Sequence, residues 1–134
     1  MPPGEAEQAL DCGFRTLCLP PVLAPTVKRN YPGVTVSMVV AYPLGLETTA
    51  AKVYSIQEAL EHGVAEFDVV LDLFALRAMN RAKLDHELEA LSAALGGRAE
   101  EDLKLIIETP VLDPERIRFA VEVISQHEPA FVKT

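Results

Sequence analysis

Basic residues are scarce in this chain. Twelve lysines and arginines stand against 20 aspartates and glutamates in 134 residues, a formal net charge of −8. Nucleic acid and anionic membrane surfaces are bound by a basic face, so the balance argues against both as main partners. It does not exclude a small anionic substrate, because one local cluster of donors holds a phosphate on an acidic protein. Cysteine is sparse too: Cys12 and Cys18 are the two present. No CxxC or Cys/His ligand spacing occurs, and neither a metal nor an organic cofactor is expected. A cytoplasmic, reducing home is expected. Long apolar runs are missing, none approaching the ~18 residues of a membrane span. "MPPGEAEQAL" has no basic n-region and no apolar h-region, so it does not read as a signal peptide.

What is present is enough to build a core. Hydrophobic residues make up 49% and charged residues 24%, ordinary for a soluble globular protein. The length allows one domain at most, read as 1–134. "FRTLCL" (14–19), "VTVSMVVA" (34–41), "EFDVVLD" (66–72), "LKLIIE" (103–108) and "AFVK" (130–133) are short apolar runs, most of them rich in β-branched residues. Helical patterns lie between them. Thr48 is a candidate N-cap, with Val53, Ile56 and Leu60 following until Gly63. Asn80 is another, ahead of Leu84, Leu88, Leu91 and Leu95 and the glycines at 96 and 97. Asp113-Pro114 opens a third, with Ile117, Ala120, Val121 and Ile124 along one face. "GEAEQALDCG" and the segment after Pro21 read as shorter helices.

Strict alternation of strand and helix implies parallel strands joined by helical crossovers. A doubly wound sheet and part of a (β/α)8 barrel both fit, and periodicity does not choose between them. Strand faces add a constraint, because alternate residues share a side. Asp68, Val70 and Asp72 fall on one side of their run; Lys104, Ile106 and Glu108 share a side, as do Phe131 and Lys133. A purely structural parallel sheet is apolar on both faces, and unpaired buried charge costs several kcal/mol. In a barrel these charged faces meet inside. Each charge also has a plainer reading: Lys104 as a strand-entry lysine reaching water, Asp72 and Glu108 as loop or cap carboxylates, Cys18 as a small core residue. His62, His86 and His127 form no ligand spacing and read as surface residues. "GLETT" reads as turn plus N-cap, and Thr16 faces a pocket or simply packs. Asp68, mid-strand, is the hardest to dismiss. A lysine facing an aspartate across a barrel is the chemistry of carbonyl activation, in which the amine forms a Schiff base and the carboxylate relays protons.

Four blocks in order, "AYPLGLETTAAK" (41–52), "EFDVVLD" (66–72), "LKLIIETPVL" (103–112) and "FVKT" (131–134), resemble the deoxyribose-phosphate aldolase family, and "LCLPP" (17–21) resembles its second strand. The resemblance implies an α/β chain of the (β/α)8 TIM-barrel class, covering strands two to six as a partial barrel. It implies a class I aldolase that reversibly cleaves 2-deoxy-D-ribose 5-phosphate to acetaldehyde and D-glyceraldehyde 3-phosphate. Lys133 matches the Schiff-base lysine and Asp68 the proton-relay aspartate. Lys104, Cys18 and Thr134 match residues lining the substrate site. The partners implied are the sugar phosphate and acetaldehyde, with a homo-oligomer compatible. The departures are Asp72 for the family's usual Asn, which adds a negative charge near Asp68, "AYPLG" for "GFPLG", "ETP" for "ETG", and "DLFALRAMN" for "NIGALKSG". The family's first strand has no counterpart here. Neither do its last two strands, with their second lysine and phosphate-binding loops. Two rival readings follow: an inactive partial barrel that binds a partner or self-associates through its sheet edges, and a related Schiff-base aldolase with another carbonyl substrate.

Overall fold

The β-branched runs become a single parallel sheet. A computed structural model describes residues 3–134; Met1 and Pro2, the first residues of the stretch examined for a signal peptide, lie outside it. The elements are α1 (Pro3–Asp11), β1 (Thr16–Leu19), α2 (Ala24–Asn30), β2 (Thr35–Val40), α3 (Thr49–Glu61), β3 (Glu66–Val70), α4 (Leu73–Arg77), α5 (Arg81–Ala94), α6 (Ala99–Asp102), β4 (Leu103–Ile106), a 3-10 turn (Thr109–Val111), α7 (Pro114–Ser125) and β5 (Phe131–Lys133). The spatial order is β1-β2-β3-β4-β5, and every neighbouring pair is parallel. A doubly wound sheet must reverse its strand order at a switch point. This one never does, so the chain winds in one direction, as in a barrel.

Side-chain alternation then divides the sheet. Leu17, Leu19, Val36, Met38, Val40, Phe67, Val69, Leu103 and Leu105 are buried on one side. Leu84, Leu88 and Leu91 of α5, Ile56 and Ala59 of α3, and Ala120, Val123 and Ile124 of α7 belong to the same core. Each such aliphatic or aromatic side chain removed from water contributes roughly 1.5–3 kcal/mol before ordering costs. On the opposite side Thr16, Cys18 and Lys133 are exposed, and among the described residues no helix covers them.

The helix starts follow their cap residues. Ala51 N donates to Thr48 Oγ1 at 3.2 Å, Lys83 N to Asn80 Oδ1 at 3.1 Å, and Arg116 N to Asp113 Oδ1 at 2.9 Å. In each case one orphan amide of the first turn is satisfied. Two expectations are corrected. Val121 is 44% exposed, and Val123 packs inward in its place. Strand β3 ends at Val70 rather than at Asp72. There Asp72 caps α4, accepting from Ala75 N at 2.9 Å, and pairs with Lys83 Nζ at 2.6 Å. The alternation that put Asp72 beside Asp68 stops where the strand stops, so its charge goes to a helix N-terminus. Glu108 likewise follows the end of β4, with φ of 52°, ahead of the 3-10 turn.

One charged pair enters the apolar layer. Lys52 of α3 is fully buried and Glu87 of α5 nearly so. Lys52 Nζ pairs with Glu87 Oε1 and donates to Val70 O at 2.8 Å. The other Glu87 oxygen accepts from Asp72 N at 3.0 Å. Gly45 presses on the same segment, with φ of +64°; a Cβ there would sit 2.0 Å from Leu71 O. Only glycine tolerates both that φ and that approach. The backbone leaving β3 is thus held from three directions, just past Asp68.

Candidate active site

The register stacks the helix-free face into rows. Cys18, Ser37 and Glu66 align across β1, β2 and β3. The next row toward the carboxyl ends is Val39, Asp68, Lys104 and Phe131, and the third is Val70, Ile106 and Lys133. Asp68 therefore has Lys104 beside it on the next strand, Ser37 one row below and Lys133 one row above. The short period-2 geometry of the strands delivers four elements' side chains to one carboxylate.

The contacts follow from that placement. Lys133 Nζ donates to Asp68 Oδ2 at 2.6 Å, and Cys18 Sγ lies 3.8 Å from the same oxygen. Ser37 Oγ donates to Asp68 Oδ1 at 2.7 Å, and Lys104 Nζ reaches that oxygen at 3.2 Å. Lys104 also donates to Ser37 Oγ at 3.2 Å and pairs with Glu66. Cys18, Ser37, Asp68, Lys104 and Lys133, with Thr16, Phe131 and Val132, line an open cavity of about 400 Å³. The Asp68 side chain is 2% exposed and that of Lys133 is 48% exposed. The carboxylate is thus the floor of the cavity and the amine its rim.

Burial pushes the Asp68 carboxyl upward, but the hydrogen bonds from Lys133 and Ser37 and the charge of Lys104 outweigh it, leaving it below the usual carboxylate value. The hydrogen bond to Asp68 holds Lys133 above the ordinary lysine value, against a smaller opposing effect of burial. Burial pulls Lys104 down, yet Glu66 and Asp68 together hold it raised. Burial and the Asp68 charge both push the Cys18 thiol up. Both lysines are accordingly ammonium ions near neutral pH and Asp68 is ionised between them.

Of the residues singled out from sequence, Asp68, Lys133, Lys104 and Cys18 come together on this face. Cys18 faces the cavity rather than the core, because β1 turns it away from the buried Leu17 and Leu19. Thr134 follows β5, is exposed, and among the described residues shares no hydrogen bond with the cluster. Asp72 lies apart with Lys83. Among the histidines, His127 Nε2 meets Asp85 Oδ1 at 2.9 Å on the helical side. Among the described residues no group of three or more His, Cys, Asp or Glu is placed to hold a metal ion. Among the described residues no helix is long and apolar enough to cross a membrane. Sequence reading missed Ser37 and Glu66. The signal for Glu66 was its position two residues before Asp68; the signal for Ser37 was a lone hydroxyl inside an aliphatic run.

Comparison with known proteins fits this geometry. No protein-family model matches the chain. A deoxyribose-phosphate aldolase of Dictyoglomus turgidum is 35% identical over 129 residues, covering 95% of this chain and 58% of that protein. One from Acholeplasma laidlawii is 31% identical over 130 residues, covering 96% of this chain and 57% of that protein. The tetrameric deoxyribose phosphate aldolase from Aeropyrum pernix superposes with a TM-score of 0.82 at 27% identity, over 98% of this chain and 55% of its own. A putative deoxyribose-phosphate aldolase from Coccidioides immitis, at 23% identity, supports the fold alone, with a TM-score of 0.86 over 95% of this chain and 50% of its own. The chain spans a little over half the length of the curated relatives it matches, and its sheet is a part of the TIM barrel.

Proposed function

The chain is a relative of the deoxyribose-phosphate aldolases, and from that premise we propose that it carries the Schiff-base half of such an active site. In this reading residues 1–134 act as a single partial-barrel domain within a complete barrel. That barrel reversibly cleaves 2-deoxy-D-ribose 5-phosphate to acetaldehyde and D-glyceraldehyde 3-phosphate. The observation that supports it is the 2.6 Å contact between Lys133 Nζ and Asp68 Oδ2, at the carboxyl end of the sheet, where barrel enzymes keep their chemistry.

The amine of Lys133 attacks the substrate aldehyde. A carbon–nitrogen bond forms as the carbonyl π pair moves to oxygen, and loss of water leaves an imine whose nitrogen is protonated. That cation draws the electrons released when the carbon–carbon bond breaks. Asp68, ionised and touching the amine, takes up and returns the protons these steps move. Cys18, Lys104 and Thr134 belong to the surroundings of the bound substrate. The setting is the cytoplasm, with small molecules rather than nucleic acid or membrane as partners.

Activation of Lys133 is the demanding step. An unperturbed lysine titrates near ~10.4, so about one in a thousand is neutral at pH 7. Here Asp68 raises Lys133 further, and Lys104 is occupied by Glu66, Ser37 and Asp68. A further cation near Lys133 is required to lower it. Residues 1–134 expressed alone are therefore expected to be a poor aldolase. Exposed Phe14 just ahead of edge strand β1, and Phe131 and Val132 within edge strand β5, favour, for that isolated segment, the second reading of self-association through open sheet edges. The test is acetaldehyde followed by borohydride reduction and peptide mapping. One adduct is expected, on Lys133, and none in Lys133→Ala; an adduct mapped elsewhere refutes the assignment. Sedimentation run in parallel reads self-association, and a monomer that turns over deoxyribose 5-phosphate efficiently refutes the need for a further cation.

A further inference from the structure

We propose that Ser37 is a positioning residue that commits one oxygen of Asp68 to the protein and leaves the other to Lys133. This rests on the aldolase reading only in giving the free oxygen a task; the geometry stands without it.

Ser37 is 1% exposed in the middle of β2. Its hydroxyl offers one proton and accepts others. An ammonium has donors and no acceptor, so the 3.2 Å contact with Lys104 Nζ is one in which Ser37 accepts. Its proton is then free to go to Asp68 Oδ1, at 2.7 Å. The direction of this relay is fixed by chemistry: Lys104 donates to Ser37, and Ser37 donates to Asp68. Lys104 also donates directly to Oδ1 at 3.2 Å. That oxygen therefore has two donors aimed at it from the buried side. Oδ2 faces the cavity, with Lys133 at 2.6 Å and Cys18 at 3.8 Å. Because bonds in such a chain polarise one another, the hydroxyl is a better donor here than a serine held by Asp68 alone. An alanine at position 37 leaves the fold's apolar packing in place but removes the shorter of the two bonds to Oδ1, leaving that oxygen to the 3.2 Å contact with Lys104.

The groups facing Asp68 are Cys18 from β1, Ser37 from β2, Glu66 from its own strand, Lys104 from β4 and Lys133 from β5. Ser37 alone among them is uncharged and does not titrate in the accessible range, so it can be removed without changing the charge of the cluster. The measurement is the titration of the Asp68 side-chain carbon by NMR in aspartate-labelled protein, assigned by its loss in Asp68→Asn. A hydrogen bond to the charged form favours it, so its removal moves the midpoint up. In Ser37→Ala the midpoint is expected to rise by about one unit. In Ser37→Cys, which keeps the shape and a weaker donor, the rise is expected to be smaller. An unchanged midpoint in either folded variant overturns the proposal. A change in urea midpoint without a change in the Asp68 titration also overturns it, and assigns Ser37 to packing. Aldehyde trapping on Lys133 is scored separately. A shifted Asp68 in a protein that forms no adduct supports the role of Ser37 while refuting the aldolase reading.

Discussion

Lys52 and Lys133 each meet a carboxylate, and their surroundings make them different groups. Lys52 is sealed beneath α3 and α5, its ammonium divided between Glu87 and a main-chain carbonyl, with the remaining glutamate oxygen taken by an amide. Both side chains are closed off from the surface, 0% and 3% exposed. Lys133 meets Asp68 at the rim of an open cavity, with about half of its side chain exposed. The first pair is buried away from any surface a ligand could approach. The second has an exposed amine and one carboxylate oxygen turned toward open space. Burial of an ion pair marks architecture here, and partial burial on the helix-free face marks the proposed chemistry.

The largest expected effect comes from breaking the sealed pair. Lys52→Met strands a buried carboxylate and is expected to cost about 3–5 kcal/mol, read as a lower urea midpoint. Lys133→Met is expected to cost under about 1 kcal/mol in the same assay, since the pair is screened by solvent and Asp68 keeps Lys104 and Ser37. Equal losses would erase the distinction.

Asp68→Asn keeps the shape and removes the basic oxygen. A loss of at least ~100-fold in turnover of the complete barrel is expected, the scale of positioned acid–base catalysis. Near-normal turnover would return Asp68 to a purely structural role. The same substitution has a signature in pH. Lys133 is raised chiefly by its bond to Asp68, so in Asp68→Asn the amine should become neutral at lower pH, and borohydride-trapped adduct should appear earlier on the alkaline scale. The acid limb follows with the opposite sign. Asp68 is depressed in the folded state, so its stabilisation is present above the unfolded value of ~3.9 and is lost as pH falls through its lower folded value. Wild-type stability should fall more steeply than that of Asp68→Asn below about pH 4.

The smallest effect lies far from both lysines. Asn80→Ala removes the side-chain oxygen that caps α5 and should lower stability by about 1 kcal/mol, with trapping at Lys133 unchanged. A change in trapping would show that α5 reaches the site through Glu87.

The alternation of short β-branched runs with capped helices made the parallel sheet legible, and Thr48, Asn80 and Asp113 marked their helices because capping is local. The choice between a reversing and a non-reversing strand order was not legible, since periodicity holds no information about which strand lies beside which. Asp68, Lys104 and Lys133 were visible as charges on strand faces. Ser37 was not, because a serine costs little anywhere until register brings it to a carboxylate. Asp72 misled as a strand-face charge, because a period of two holds only while the strand lasts, while its plainer reading as a cap carboxylate stands. Lys52 was hidden for a related reason: a lysine on a helix is ordinarily solvated, and only the arrival of Glu87 from another helix lets it be buried.

Spatial order that copies chain order has a consequence for synthesis. Each strand from β2 onward lies against the one made just before it, so the sheet can extend at one edge as the chain is produced, without waiting for a distant partner. The apolar side is served by this neighbour-by-neighbour growth. The contact between Lys133 and Asp68 spans 65 positions and skips over β4, so it closes only when β5 docks. Until then Asp68 is held by Cys18, Ser37 and Lys104, and the nascent protein has a partnered carboxylate in place before the amine of Lys133 reaches it.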